Sequence, residues 1–460
     1  MADYSDSKQP KTTDELTQVV SPASIDLNTI DVDRSLLNDT PVYRVYKRRF
    51  FGLAQLILLN IVISWNWLTF APVSDLSAQW FDVSESVVNW MSTAFLFAFV
   101  AMTPITLLLL NKGGPAQAIR YASILVLIGS WVRYGGSRSG SFGAAMFGQI
   151  IIGLAQPLVL SSPTRYSNLW FSDKGRVTAT AVASLANPLG GALGQLIGPI
   201  WADNATQIPE MVVWTSTIST VVAVIGFLTP SAPPTPPSRT AAAEKLDLIH
   251  GLRALSKNTV FFLLAIPFVV YVGLFNAISS LLNQIFQPYG FSDDDAGIGG
   301  AILIVAGLVA AAVASPIIDR TRLFLLAIRL LVPILAVIYV ALIFMPQTQD
   351  LPGSWIVLAA LGAASFSLLP CALEYLAIVT HPVSPEISST ICWSLAQLSG
   401  AIFILIMDAL KAGRQADPSY NMYNALVFQA CIACIAVPST MMIGFWGWTS
   451  AVSAPAEEEM

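Results

Sequence analysis

The sequence predicts an all-α integral membrane protein, with twelve transmembrane helices in two six-helix pseudo-repeat bundles. Three observations predict it. Hydrophobic residues make up 55% of the 460-residue chain and charged ones 11%, where soluble domains carry about a quarter charged residues, and the mean hydropathy is +0.66. Twelve apolar stretches each approach the ~20 residues that a helix needs to cross a hydrocarbon core of ~30 Å. One polar, proline-rich segment divides them six and six.

Residues 1–41 are rich in Ser, Thr and Asp and lack an apolar core segment, so a disordered cytosolic tail is expected there, not a cleaved leader. The basic cluster Arg44, Lys47, Arg48 and Arg49 precedes the first span. Spans over 50–71, 89–110, 117–135, 142–163, 177–201 and 211–229 build an N-terminal bundle within 42–229. The cytosolic linker 230–258 follows. Its SAPPTPPSRT cannot form a continuous helix, whereas AAAEKLDLIHGLRAL predicts a short amphipathic one. Spans over 259–286, 296–318, 323–345, 354–379, 387–408 and 424–448 build a C-terminal bundle within 259–449, and an acidic cytosolic tail occupies 450–460.

Lys and Arg are retained on the cytoplasmic side of short loops. One set of loops holds fifteen of them: Arg44, Lys47, Arg48, Arg49, Lys112, Arg120, Arg165, Lys174, Arg176, Arg239, Lys245, Arg253, Lys257, Arg320 and Arg322. The opposite set holds Arg133, Arg138, Lys411 and Arg414, so both termini are expected in the cytosol, in the plasma membrane or an internal one. The sequon Asn204-Ala205-Thr206 then faces outside as a glycosylation acceptor or an unused triplet. The net charge of −5 resides in tails and loops such as Asp293, Asp294 and Asp295. All four cysteines lie in apolar segments, which argues against a disulfide framework; the CxxC of Cys431 and Cys434 reads as two small buried side chains rather than a metal site.

Function is sought in polar residues at depth, since such groups are costly in lipid and mark solute paths. Residues 148–171, GQIIIGLAQPLVLSSPTRYSNLWF, place Gln156 and Pro157 at mid-membrane and Arg165 at the exit. Trp65, Trp67 and Phe70 form an aromatic group in the outer half of the first span, able to hold an organic ammonium through the π face or to serve in an interfacial belt. Gln397 lies near the middle of the eleventh span, and Asn283 and Gln284 lie toward the outer end of the seventh; such amides bind a solute or join helices. Glu374 is the deepest acid, about one turn from an inner end, where it handles protons or pairs with an Arg at the mouth. Gly190, Gly194 and Gly198 recur every fourth residue, a face for rocking between halves or for static close packing. A GxxxxGK loop and a nucleophile–base pattern are both missing, so neither ATP-driven pumping nor an enzyme is read, and no cofactor or nucleic-acid partner is expected.

The stretches RRFFGLAQLILLNIVISWNWLTFAPVSD, GLAQPLVLSSPTRYSNLWF, ISSLLNQIF and ALEYLAIVTHPVSPEISSTICWSLAQ resemble the feline leukaemia virus subgroup C receptor-related transporters of the major facilitator superfamily. The loop after the eighth span, SPIIDRTRLF, carries Asp319, Arg320 and Arg322 where that superfamily has an Asp–Arg signature; the matching loop of the first half has Asn111 in place of an acid. The resemblance implies the major facilitator fold and a central cavity, with Trp67 facing a cation and Gln156 and Gln397 holding the solute from opposite halves. Asn276 stands where an aromatic is expected, opening one wall of the cage; Gln284 completes the binding set, and Glu374, Asp319, Arg322 and Arg165 the gating and coupling set. The family is associated with choline and ethanolamine transport, with heme export proposed for some members. The expectation is therefore a monomeric secondary transporter of a small organic solute, a choline-like cation or amino-alcohol, working by alternating access. The alternatives are an exporter of an amphipathic compound, heme or a metabolite, and a receptor or sensor that does not transport.

Overall fold

The computed structural model describes residues 44–237, 248–380 and 383–443, apart from the side chains of Asp173, Lys174, Val177 and Asp319. The expected tails 1–41 and 450–460, residues 238–247 of the linker, His381 and the end of the last span lie outside the described residues. Every long element is helical, which spanning chains require because lipid offers no partner to a free backbone amide.

The first half contains α1 (Arg48–Trp67), the short α2 (Ser74–Phe81) and α3 (Glu85–Val88), then α4 (Trp90–Lys112), α5 (Gly114–Arg138), α6 (Phe142–Leu160), α7 (Ser162–Trp170), α8 (Asp173–Trp201) and α9 (Ile208–Gly226). After the short α10 (Leu248–Leu255), the second half contains α11 (Thr259–Phe286), α12 (Asp293–Thr321), α13 (Phe324–Thr348), α14 (Leu351–Val379), α15 (Pro385–Ala409) and α16 (Tyr423–Met442). Among the described residues, ten segments are long and apolar enough to cross a membrane. The two expected spans outside that set, α5 and α8, have the length, 25 and 29 residues, but are diluted by Gly, Ser, Thr and basic residues. Ile435, Ile356 and Val337 are 70, 69 and 68% exposed on the outside of the assembly. Apolar exposure on that scale suits lipid and not water.

Within the first half α5 packs on α6, α1 on α8, α4 on α6 and α9 on α5; within the second, α12 packs on α14, α11 on α15, and α13 on both α14 and α16. The halves meet along α8 with α12 and along α4 with α15. Gly297 and Gly300 of α12 face Gln195 of α8, whose Nε2 donates to the Ser279 carbonyl at 2.5 Å.

Several sequence expectations change. The glycine face of α8 lies against α1 of its own half and not between the halves: a Cβ on Gly190 would stand 2.0 Å from the Ile61 oxygen. Spacing shows that a face is small, not which helix covers it. Arg133 belongs to no loop; it is inside α5 and fully buried. Cys431 and Cys434 are exposed on α16, because an apolar segment reads alike whether it faces lipid or the core. Glu374 is exposed on α14, five residues before that helix ends at Val379. The start of the linker is tied down: Arg44 N–H donates to the Pro236 carbonyl at 3.2 Å, and Arg120 Nη2 donates to the Thr229 carbonyl at 2.9 Å. The end carrying Arg44, Arg48 and Arg120 is called the basic end below.

Candidate functional site

Trp67 is the last residue of α1. The helix stops because Pro72 follows closely: proline has no N–H, and its ring clashes with the carbonyl four residues back and disfavours helix in the residue before it. A 3₁₀ turn over Ala71–Val73 and then α2 continue the chain. The Trp67 indole stacks on Phe95 of α4, with centroids 6.5 Å apart and planes at 24°. A Cβ on Gly153 would stand 2.9 Å from the Phe95 carbonyl, so α6 presses on α4 at the same residue, and Gln156 lies one turn further along α6. Trp67 and Gln156 are 6% and 2% exposed, which excludes a lipid-facing placement. Trp67 Nε1 and Gln156 Oε1 are buried without a hydrogen-bond partner. Buried polar atoms nearly always find partners, so each orphan, a donor on α1 and an acceptor on α6, leaves a hydrogen-bonding group available to a ligand or water.

In the second half, Gln397 of α15 and Asn276 of α11 are both buried, and Asn276 Nδ2 donates to Gln397 Oε1 at 2.7 Å. Asn276 therefore fills the place of the expected aromatic with a bonded amide, backed by Gly400. α4, which carries Phe95, packs on both α6 and α15, the helices that carry Gln156 and Gln397. Gln284 sits apart from this pair, eight residues along α11 or ~12 Å by helical rise; it belongs to a second constellation.

That constellation joins the halves at the end opposite the basic one. Lys411 Nζ lies 2.5 Å from Glu85 Oε2 and donates to Gln284 Oε1 at 3.2 Å. Gln284 Nε2 donates to Asn89 Oδ1 at 2.7 Å, and Asp408 Oδ1 accepts from Asn89 Nδ2 at 2.8 Å and Ser86 Oγ at 3.0 Å. Asn283 Nδ2 donates to the Pro72 carbonyl at 2.6 Å and to Asp293 Oδ1 at 2.7 Å. The result is a polar latch. Sequence reasoning missed Glu85, Asn89 and Lys411; charged residues just past apolar spans were the available signal, but cross-half pairing has no sequence period. At the basic end, Arg165 is half-buried in α7, and Arg322 and Glu374 are exposed, Arg322 with a left-handed φ of 57° where α12 ends.

Many long apolar helices around buried, unsatisfied polar atoms, with a latch between halves at one end, define a membrane transporter of small solutes. The chain belongs to the major facilitator superfamily, whose family model matches residues 56–404. It is 31% identical over 412 residues to solute carrier family 49 member A3 of Danio rerio, covering 85% of this chain and 86% of the relative. It is 29% identical over 383 residues to the choline/ethanolamine transporter FLVCR1 of Felis catus, covering 79% and 68%. Among solved structures, a bacterial homologue of the human lysosomal transporter Spinster, inward-facing and unoccupied, superposes with a TM-score of 0.64 at 17% identity, over 86% of this chain and 97% of that one. The D-xylose–proton symporter gives 0.64 at 13% identity, over 85% and 97%. Both likenesses concern the fold.

Proposed function

We propose that the chain is a monomeric secondary transporter that moves a choline-like cation or amino-alcohol by alternating access through twelve spans. These form six-helix bundles over 42–229 and 259–449, joined by the cytosolic linker 230–258, with both termini and the basic end in the cytosol. The orphan pair, Trp67 Nε1 and Gln156 Oε1, carries the substrate reading. A hydroxyl can accept from the indole N–H and donate to the amide oxygen, while an ammonium group rests against the aromatic face. Gln397 and Asn276 offer a polar wall from the second half. The choline and ethanolamine named for the FLVCR1 relative are solutes of this chemistry.

In this reading the latch holds the outer end shut, as alternating access requires of a state open to the cytosol. Gln284 acts there as a gate residue. Arg165, Asp319, Arg322 and Glu374 stand at the cytosolic mouth, where charge pairs form and break as the halves rock. The test is uptake of radiolabelled choline into liposomes holding the purified protein. Saturable uptake abolished by Trp67→Ala supports the proposal. Binding without flux would make the protein a receptor, and neither would redirect it to export of a bulkier amphipathic compound.

A further inference from the structure

Where α1 stops at Trp67, the carbonyls of Asn66 and Trp67 lose the amide partners that the next turn would supply. Both lie inside the protein, where an orphaned carbonyl is costly. Side chains from two other helices replace the missing turn. Arg133 Nη1 of α5 donates to the Asn66 carbonyl at 3.1 Å and to Gln149 Oε1 of α6 at 3.0 Å. Arg133 Nη2 donates to Asn66 Oδ1 and, at 3.1 Å, to Thr215 Oγ1 of α9. Gln149 Nε2 donates to the Asn66 carbonyl at 3.1 Å and reaches the Trp67 carbonyl at 3.5 Å. Asn66 Nδ2 completes the set on the Val62 carbonyl at 2.8 Å and Ser219 Oγ at 2.9 Å.

Arg133 and Gln149 are both 0% exposed, and the oxygens bonded to Arg133 are all neutral. A buried guanidinium is tolerable here for two reasons. It stands at the C-terminal end of α1, where the aligned peptide dipoles present partial negative charge, and it lies 5.7 Å from the centroid of the Phe70 ring. The arrangement is also directional. Because Arg133 occupies Gln149 Oε1, the Gln149 amide must turn its N–H₂ toward the end of α1.

We propose that Arg133 and Gln149 are positioning residues for the solute site: they cap the broken end of α1 and thereby fix the backbone that aims the Trp67 indole, without touching the solute. This rests on the reading of Trp67 as a solute-binding aromatic. Lys at 133 keeps the charge but not the planar fork that serves four acceptors at once.

The test uses the full chain in liposomes with labelled choline. Gln149→Leu raises KM by about tenfold with Vmax within about twofold, the signature of a displaced binding group. In a Trp67→Phe background the same substitution adds less than about twofold, since both act through one side chain. An unchanged KM, or an equal KM rise in the two backgrounds, overturns the proposal. Arg133→Lys repeats the test where it folds, and Gln149→Leu carries it where it does not. If the unsubstituted protein moves no choline, the substrate reading fails while the cap stays testable. Amide hydrogen exchange over residues 66–73 then speeds up by about tenfold in Gln149→Leu if the cap exists, and unchanged exchange removes it.

Discussion

Two buried glutamines differ in what their oxygens meet. Gln156 has an oxygen with nothing to lose, whereas Gln397 holds the Asn276 amide at 2.7 Å. Replacing an unsatisfied buried group by an apolar one of similar shape is near neutral, while removing one member of a bonded pair strands the other at about 1–3 kcal/mol. Gln156→Leu therefore leaves the thermal midpoint unchanged or slightly raised while, on the proposed function, choline uptake falls by an order of magnitude or more. Gln397→Leu lowers the midpoint by several degrees, since about 1 kcal/mol shifts it by ~2 °C or more in a large domain. Thermal unfolding in detergent beside uptake in liposomes checks both, and a large loss of stability in Gln156→Leu would sink the contrast. At this scale the sequence was informative about burial, because a polar group in an apolar run is conspicuous: Trp67, Gln156, Asn276 and Gln397 are all buried. It was silent about pairing. Nothing in the spacing shows that Asn276 meets Gln397 or that Arg133, at the end of an apolar run, turns inward to cap α1.

Between elements, the decisive contact is backbone against backbone. A Cβ on Gly190 would lie 2.0 Å from the Ile61 oxygen and one on Gly362 would lie 1.7 Å from the Leu303 oxygen, so α8 on α1 and α14 on α12 approach as closely as chains can. Gly135 of α5 has nothing within 4 Å of its built Cβ. Gly190→Ala must push two helices apart, which costs roughly 1–3 kcal/mol as overpacking does, whereas Gly135→Ala gains about 0.5–1 kcal/mol from helix propensity. Midpoints that move in opposite directions, measured on the reconstituted chain, are the expected outcome; equal shifts would contradict the packing. Helix positions were legible because hydrophobic length is set by the bilayer. The first helix is the exception: an apolar run continues through Ala71, but the helix ends at Trp67 because Pro72 acts from beyond it. Neighbours were not legible, since a small-residue face and an apolar face look the same whatever covers them, as Gly190 and Cys431 both show.

For the whole molecule, the balance between two end states is set by bonds that exist in only one. Lys411 and Glu85 are 12% and 25% exposed in their side chains, so their pair is largely desolvated, and Lys411 also satisfies Gln284, which in turn holds Asn89. Losing it costs the latched state more than a surface pair, at ~0–1 kcal/mol, would, and approaches the several kcal/mol of a broken buried one. Taking about 1–3 kcal/mol, Lys411→Met shifts the population by about 5- to 150-fold toward the state open at that end, because the open state never had the bond. A reporter at Ala71→Cys, beside Pro72 and 8% exposed when latched, reads the shift in a chain whose four native cysteines are replaced. A membrane-impermeant thiol reagent applied from outside labels the reporter at least fivefold faster with Lys411→Met than without it. A permeant reagent at the same site separates occlusion from sidedness: labelling by the permeant reagent alone would place the latch on the cytosolic side and reverse the topology. Equal rates with Lys411 and Met at 411 would show that the pair closes nothing.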